Sequence, residues 1–208
     1  MTSTERYGAG KIVVREYDPA WPEMFAEEEA QIAAALGPMV LSVEHVGSTS
    51  VPGLPAKPII DMLVTVRDMP EARQCAVQPL IDLGYVYYPE YEQWLPDEMF
   101  FRKGPPGPWT HHVHVADATS PRWEEFILIR DFLRQRPEFA HAYGDLKKAV
   151  ALLFEDDFVG YREAKRPFLK ALLDKARTEA NPDLSLGILT QGQRTGGDDP
   201  VAGAVAAD

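Results

Sequence analysis

The stretch Ile59-Ile60-Asp61-Met62-Leu63-Val64-Thr65-Val66 is an almost unbroken apolar run with one acid inside it. Such a run is the pattern of a central strand buried on both faces. An acid in that setting costs several kcal/mol if left unpaired, roughly the desolvation penalty of a buried charge. Asp61 therefore calls for a metal, a base or a hydrogen-bond network. The bland alternative is a structural Asp bonded to loop amides.

The segments around this strand change period in order. Asp18-Pro19 reads as an N-cap and first helical position, opening a helix through Met24, Phe25, Ile32 and Leu36 that Gly37-Pro38 stops. Val40 to Val46 alternates as a strand. Ala72, Cys75, Ala76, Leu80 and Leu83 form a helical stripe closed by Gly84, with Pro79 as a kink. Tyr85–Tyr88 and Glu98–Lys103 read as a strand pair, and His111–Val115 as a short strand. Three helices follow: from the Ser120-Pro121 cap to about Gln135, Pro137 to Phe154, and about Asp157 to Ala176. With one candidate βαβ crossover, the expectation is an α+β fold, a mixed sheet flanked by helices with a helical C-terminal part.

The chain has 208 residues, enough for one domain. From Asn181 to Asp208 it is rich in Gly, Ala, Thr and Asp without an aromatic residue, the composition of a disordered tail. The expected division is a flexible start over 1–12, a domain over 13–180 and a disordered 181–208. The net charge is −11 and no basic run occurs, which argues against nucleic acid and an anionic membrane surface as partners. One cysteine, Cys75, excludes an intramolecular disulfide and a cysteine-based zinc cage. No basic start leads into an apolar run, and no span reaches the roughly 18 apolar residues of a membrane helix. The expected location is cytoplasmic.

The chemistry concentrates between Glu44 and Asp61. A strand ends in Gly47-Ser48-Thr49-Ser50, and a Gly/Pro-rich loop through Lys57 leads into the apolar strand. Gly47 lets the backbone approach a ligand, and Ser48, Thr49 and nearby amides can hold phosphate oxygens, with Lys57 beside them. His112 and His114 alternate on a strand and face one way, so the two imidazoles can chelate a metal or make ordinary hydrogen bonds. With Asp61 they form a set suited to Mn, Fe or Zn more than Mg. His45 is a further ligand candidate, while His141 reads as solvated.

Three consecutive helices each place a base on or beside an apolar stripe. Arg130 falls among Trp123, Phe126, Ile127 and Leu133. Lys147 flanks Phe139, Tyr143, Leu146, Val150 and Leu153, and Lys165 sits four residues after Tyr161, among Phe158, Phe168, Leu169 and Leu172. One such base would be snorkelling; three suggest a cationic pocket for phosphate or carboxylate groups. The alternative is structural ion pairing of Arg130 and Lys165 with Asp61, Asp131 or Glu163. Glu27-Glu28-Glu29 reads as a solvated helix face, and the aromatic set Tyr85, Tyr87, Tyr88, Tyr91, Trp94, Phe100 and Phe101 as strand core and rim.

Gly47-Ser48 followed by a strand acid resembles the nucleotidyltransferase fold, whose signature has carboxylates at i and i+2; here the second position is Leu63. From Val14 to about Ala176 the chain more closely resembles the GrpB family. The matching residues are Tyr17-Asp18-Pro19-x-Trp21-Pro22, the His45-to-Asp61 block, His111-His112-Val113-His114-Val115, Arg130-Asp131-x-Leu133, and Tyr161 with Lys165. The resemblance implies a nucleotidyltransferase-like fold, with related domains fused to dephospho-coenzyme A kinase in some actinobacteria.

These readings combine into an expected enzyme of nucleotidyl or phosphoryl transfer on a small molecule. Gly47, Ser48, Thr49 and Lys57 would bind the phosphates of a nucleotide or coenzyme A-like ligand. Asp61, His112 and His114, with His45 possible, would hold a divalent metal such as Mg, Mn or Zn. Arg130, Lys147 and Lys165 would clamp a second anionic group, which Tyr161 orients; Lys165 joins Asp61, His112 and His114 as a catalytic candidate. The rivals are a metal-dependent ligase or hydrolase, a non-catalytic anion-binding module, and an interaction protein using its acidic surface.

Overall fold

The computed structural model describes residues 11–105 and 109–180. The expected tail over 181–208 lies outside them, as do the first ten residues. The expected boundary at residue 13 falls inside the packing, because Ile12 is buried and donates its N–H to the Glu155 carbonyl at 2.7 Å.

Helix α1 (Trp21–Leu36) leads into β1 (Val40–Val46), and the Ser48–Ser50 turn and a loop lead into β2 (Ile60–Val66). Two short helices, α2 (Met69–Cys75) and α3 (Val77–Asp82), precede β3 (Tyr85–Tyr87), β4 (Glu98–Lys103) and β5 (His111–Asp117). Helices α4 (Pro121–Gln135), α5 (Pro137–Leu153) and α6 (Phe158–Ala180) complete the chain. The five strands form one sheet in the order β1-β2-β5-β4-β3. Among the neighbouring strand pairs of the described residues, β2–β5 is parallel and the other three are antiparallel. Their connection carries α2, α3 and the β3–β4 hairpin, so the expected βαβ crossover has a hairpin inserted that extends the sheet.

Every residue of β2 is buried, as its composition requires of a strand inside a sheet covered on both faces. Ile60, Met62 and Val64 face one way and pack with Phe101, Val113 and Val115 against Trp21, Ile32 and Leu36 of α1 and Ala72, Ala76 and Leu80 of α2–α3. Each large apolar side chain so buried contributes about 1.5–3 kcal/mol. Leu63 faces the other way, with Val46 and Ala116, against Trp123, Phe126 and Ile127 of α4. Beyond them, Val51 and Leu54 of the β1–β2 loop are locked into the α4–α6 core beside Leu133, Tyr143 and Leu169. Gly144 on α5 permits this: a Cβ there would lie 2.9 Å from Cδ of Pro55. The loop is thus clamped between sheet and helices.

Local chemistry accounts for the departures from the sequence reading. Helix α1 starts at Trp21, because the Asp18 carboxylate accepts from the Ala20 N–H at 2.9 Å in a preceding turn. The stripe over 72–83 breaks at Ala76 into two helices. The first is capped by Asp68, which accepts from the Glu71 N–H at 2.7 Å. Glu28 is buried, not solvated: its carboxylate takes Lys103 Nζ at 2.8 Å and the Tyr85 hydroxyl at 2.9 Å. Leu153 leaves its expected stripe and is 76% exposed, and Trp94 is 68% exposed. No helix among the described residues is long and apolar enough to cross a membrane.

Candidate functional site

Strand register aligns the chemistry. Val46, Asp61, His112 and Arg102 stand side by side across four strands, and Glu44, Leu63, His114 and Phe100 form the next row on the same face. That face looks toward α4–α6, since Leu63 packs on Trp123 and the His114 ring lies 4.7 Å from that of Phe126.

The two histidines are held by different carboxylates. His112 Nδ1 lies 3.0 Å from Asp61 Oδ1, and His114 Nδ1 lies 2.7 Å from Glu98 Oε1. Glu98 also accepts from Arg122 Nε at 3.3 Å, and Arg122 reaches Glu125 at 3.0 Å. Burial alone would raise the Glu98 carboxyl, but the charges of His114 and Arg122 outweigh it and hold Glu98 below its ordinary value. Among the described residues no group of three or more His, Cys, Asp or Glu is placed to hold a metal ion. The sequence groups Asp61, His112 and His114 as one ligand set; in the structure each imidazole gives its Nδ1 to its own carboxylate, His112 to Asp61 and His114 to Glu98.

The loop residues divide. Gly47 adopts φ +68°, and Ser48 lines a cleft beside it. The Thr49 hydroxyl is engaged within the fold. It donates to the Ile59 carbonyl at 3.0 Å and meets His45 Nε2 at 3.0 Å, which requires the His45 proton on Nε2. That nitrogen is spent, so His45 is not a metal ligand through it. Burial, then the charges of Arg134 and Arg130, push the His45 pKa down to about 4, and the ring stacks on Phe25 at 4.8 Å.

The cleft beside Ser48 measures about 40 Å3 and is lined by Gly47, Arg122, Glu125, Arg130, Tyr143 and Leu169 among others. One water needs about 10–15 Å3, so the space suits a single phosphate or carboxylate group. Arg130 donates to Glu44 at 2.7 Å, to Asp131 at 2.7 Å and to the His45 carbonyl. The ion pair with Asp131, the structural alternative to an anion clamp, thus forms, and burial, which would lower the Arg130 pKa, is outweighed by the two carboxylates. Lys147 and Lys165 are fully buried. Lys147 Nζ lies 4.6 Å from the Tyr143 ring centre, and Lys165 sits one turn before Leu169, its Nζ 4.2 Å from the ring of Tyr161. Lys57 approaches the same Tyr161 ring at 5.7 Å.

Sequence reasoning missed Glu98, Arg122, Glu125 and Arg102. Arg102, in line with Asp61 and His112, lies within 6 Å of the rings of Tyr88, Tyr91, Phe100 and Trp109. The only signal was an acid opening the strand at 98 and a base just inside the α4 cap.

A sequence model of the GrpB protein family matches residues 11–175. A protein of Bacillus subtilis, "UPF0157 protein YqkA", is 34% identical over 82% of this chain, which spans about half (49%) of that relative's length. "UPF0157 protein PA4798" of Pseudomonas aeruginosa is 37% identical over 88% of this chain and 75% of its own. The crystal structure of "conserved protein GrpB" from Enterococcus faecalis is similar at a TM-score of 0.74 and 37% identity, covering 81% of this chain and 99% of that one. With the match running from the first described residue through most of α6, the chain belongs to the GrpB protein family.

Proposed function

We propose that this protein binds the phosphate of a small nucleotide- or coenzyme A-like molecule beside Gly47-Ser48 and catalyses transfer of a group on it. The observation that carries the reading is the charge around one small cleft. Arg122 and Arg130 line it with a single acid, Glu125, while Lys147 and Lys165 are buried one turn from its lining residues Tyr143 and Leu169, in a chain of net charge −11. Buried cations in an acidic protein suit an anionic ligand. The Gly-Ser turn followed by a strand acid is similar to the nucleotidyltransferase pattern. A relative named "Dephospho-CoA kinase" from Mycolicibacterium paratuberculosis, 28% identical, matches over 46% of its length and points to the same ligand class.

The reacting pair in this reading is Asp61–His112. Within that reading the carboxylate orients the imidazole through Nδ1 and stabilises the imidazolium formed when Nε2 takes a proton. No step is routed through a metal.

Calorimetric titration with ATP, coenzyme A and inorganic pyrophosphate, with and without Mn2+, tests binding. Arg130→Gln should weaken the bound compound about tenfold, the worth of one charge-assisted hydrogen bond. Binding of none of them by folded wild type overturns the reading. A second reading, an anion-binding module without catalysis, is favoured by Leu63, which fills the second acid position with a fully buried apolar contact. Binding without turnover of any of these compounds would select it.

A further inference from the structure

A second cleft lies on the other side of the Ser48–Ser50 turn, bounded by α1 and the α4–α5 corner. It measures about 650 Å3, inside the roughly 300–1,000 Å3 range of small-molecule sites. Its walls are flat and rigid: the rings of Tyr17 and Phe25, and three prolines, Pro22, Pro52 and Pro137. Surfaces of this kind favour a planar ring over a flexible chain.

Its polar groups are few, and two of them are fixed. Arg134 Nε donates to the Ser50 carbonyl at 3.0 Å, which sets the guanidinium at the cleft, and its Nη1 only grazes Asp131 at 4.0 Å. His45 is stacked on Phe25 and tied to Thr49. No carboxylate lines the cleft among the described residues, although acids outnumber bases 32 to 21 in the chain. Arg130 and Arg134 stand one turn apart on α4, one at each cleft, and Leu133 lines both. We propose that this larger cleft binds the planar aromatic body of a small molecule whose carboxylate or phosphate pairs with Arg134. The proposal stands independently of the anion assigned to the smaller cleft.

The test uses the full chain with 4-hydroxyphenylacetate and AMP as probes, and 4-hydroxyphenylethanol and adenosine as their uncharged counterparts. Binding is read by saturation-transfer NMR and by the ring-proton signals of His45 and His141, two residues of the cleft lining. At least one anionic probe should shift these signals, and its uncharged counterpart should bind at least about tenfold more weakly. Arg134→Gln should weaken the anion about tenfold. His141→Trp, at a side chain 85% exposed, should narrow the cleft and weaken both forms while preserving the fold. Failure of both anions to perturb either histidine overturns the proposal, as does equal binding by wild type and Arg134→Gln. Loss of binding in Arg130→Gln but not in Arg134→Gln places the anion in the smaller cleft. That result also overturns this inference, while leaving the proposed function standing.

Discussion

Gly47 and Asp61 are in such close contact that a methyl group on the glycine would sit 2.4 Å from Oδ2 of the carboxylate. The glycine closes the end of β1 directly over the acid of β2, with its backbone at φ +68°. Two independent demands, a left-handed conformation and the absence of a side chain, fall on one residue.

Gly47→Ala should therefore destabilise the fold by about 2–4 kcal/mol, summing backbone strain and a clash at a buried carboxylate. Urea melts give the number. The same variant should lose pyrophosphate binding, because the Gly47 backbone and the Asp61 side chain must move apart to admit the methyl. A loss under about 0.5 kcal/mol, the range of ordinary surface changes, would show that the contact is looser than described.

Leu63→Asp restores the second acid of the nucleotidyltransferase pattern on paper. In the structure Leu63 is fully buried against Trp123, Phe126 and Ile127. A carboxylate there has no cation supplied by those neighbours, so the variant should lose about 3–5 kcal/mol and show no new metal-dependent turnover. A stable variant that gains Mn2+-dependent turnover would mean that this packing yields to a metal.

Acid should weaken the protein in a window set by His45. Its native pKa is lowered from 6.5 to about 4, with burial the main cause. Between those values the unfolded chain binds a proton that the native state does not, so stability falls as pH drops from about 6.5 to about 4 and this contribution levels off below. The full amount is about 3 kcal/mol. The depressed Glu98 carboxyl acts at lower pH, where its pairing with His114 and Arg122 is lost as it protonates. His45→Gln should reduce the slope of stability between pH 6.5 and 4 by up to one proton, about 1.4 kcal/mol per pH unit. Denaturant melts across that range check it, and an unchanged slope would assign the acid sensitivity elsewhere.

The strands were readable because their information is local. Val40–Val46 begins and ends on β-branched residues and Glu98–Lys103 is centred on Phe100 and Phe101, and the helical stripes foretold the burial of Lys147 and Lys165. What escaped depends on register. Nothing near Glu98 in the chain says that His114 and Arg122 will converge on it, and nothing near Arg102 says that it stands beside His112. Thr49 looked like a phosphate ligand because a hydroxyl after a glycine is suggestive. Only the fold shows it turned inward to Ile59 and His45.

Glu28 illustrates the same point with a measurable consequence. Three consecutive glutamates on an amphipathic helix read as solvent-facing, yet the middle one is 4% exposed. Its partners, Lys103 and Tyr85, lie 75 and 57 residues away in sequence. Burial, then the Glu28 charge, raises the Tyr85 pKa far above its ordinary value, so the phenol keeps its proton and donates it to Glu28. Glu28→Ala removes the acceptor for a buried hydroxyl and the counter-charge of Lys103, and should cost about 3 kcal/mol. Glu28→Gln keeps an acceptor for Tyr85 and should cost less. Because α1 covers the sheet face opposite Asp61 and His112, neither change should alter pyrophosphate affinity. Urea melts and calorimetry on the two variants separate these expectations. A Glu28→Ala loss below about 1 kcal/mol would reduce the contact to an ordinary surface pair, and a fall in pyrophosphate affinity would show that the two faces of the sheet are coupled through β4 and β5.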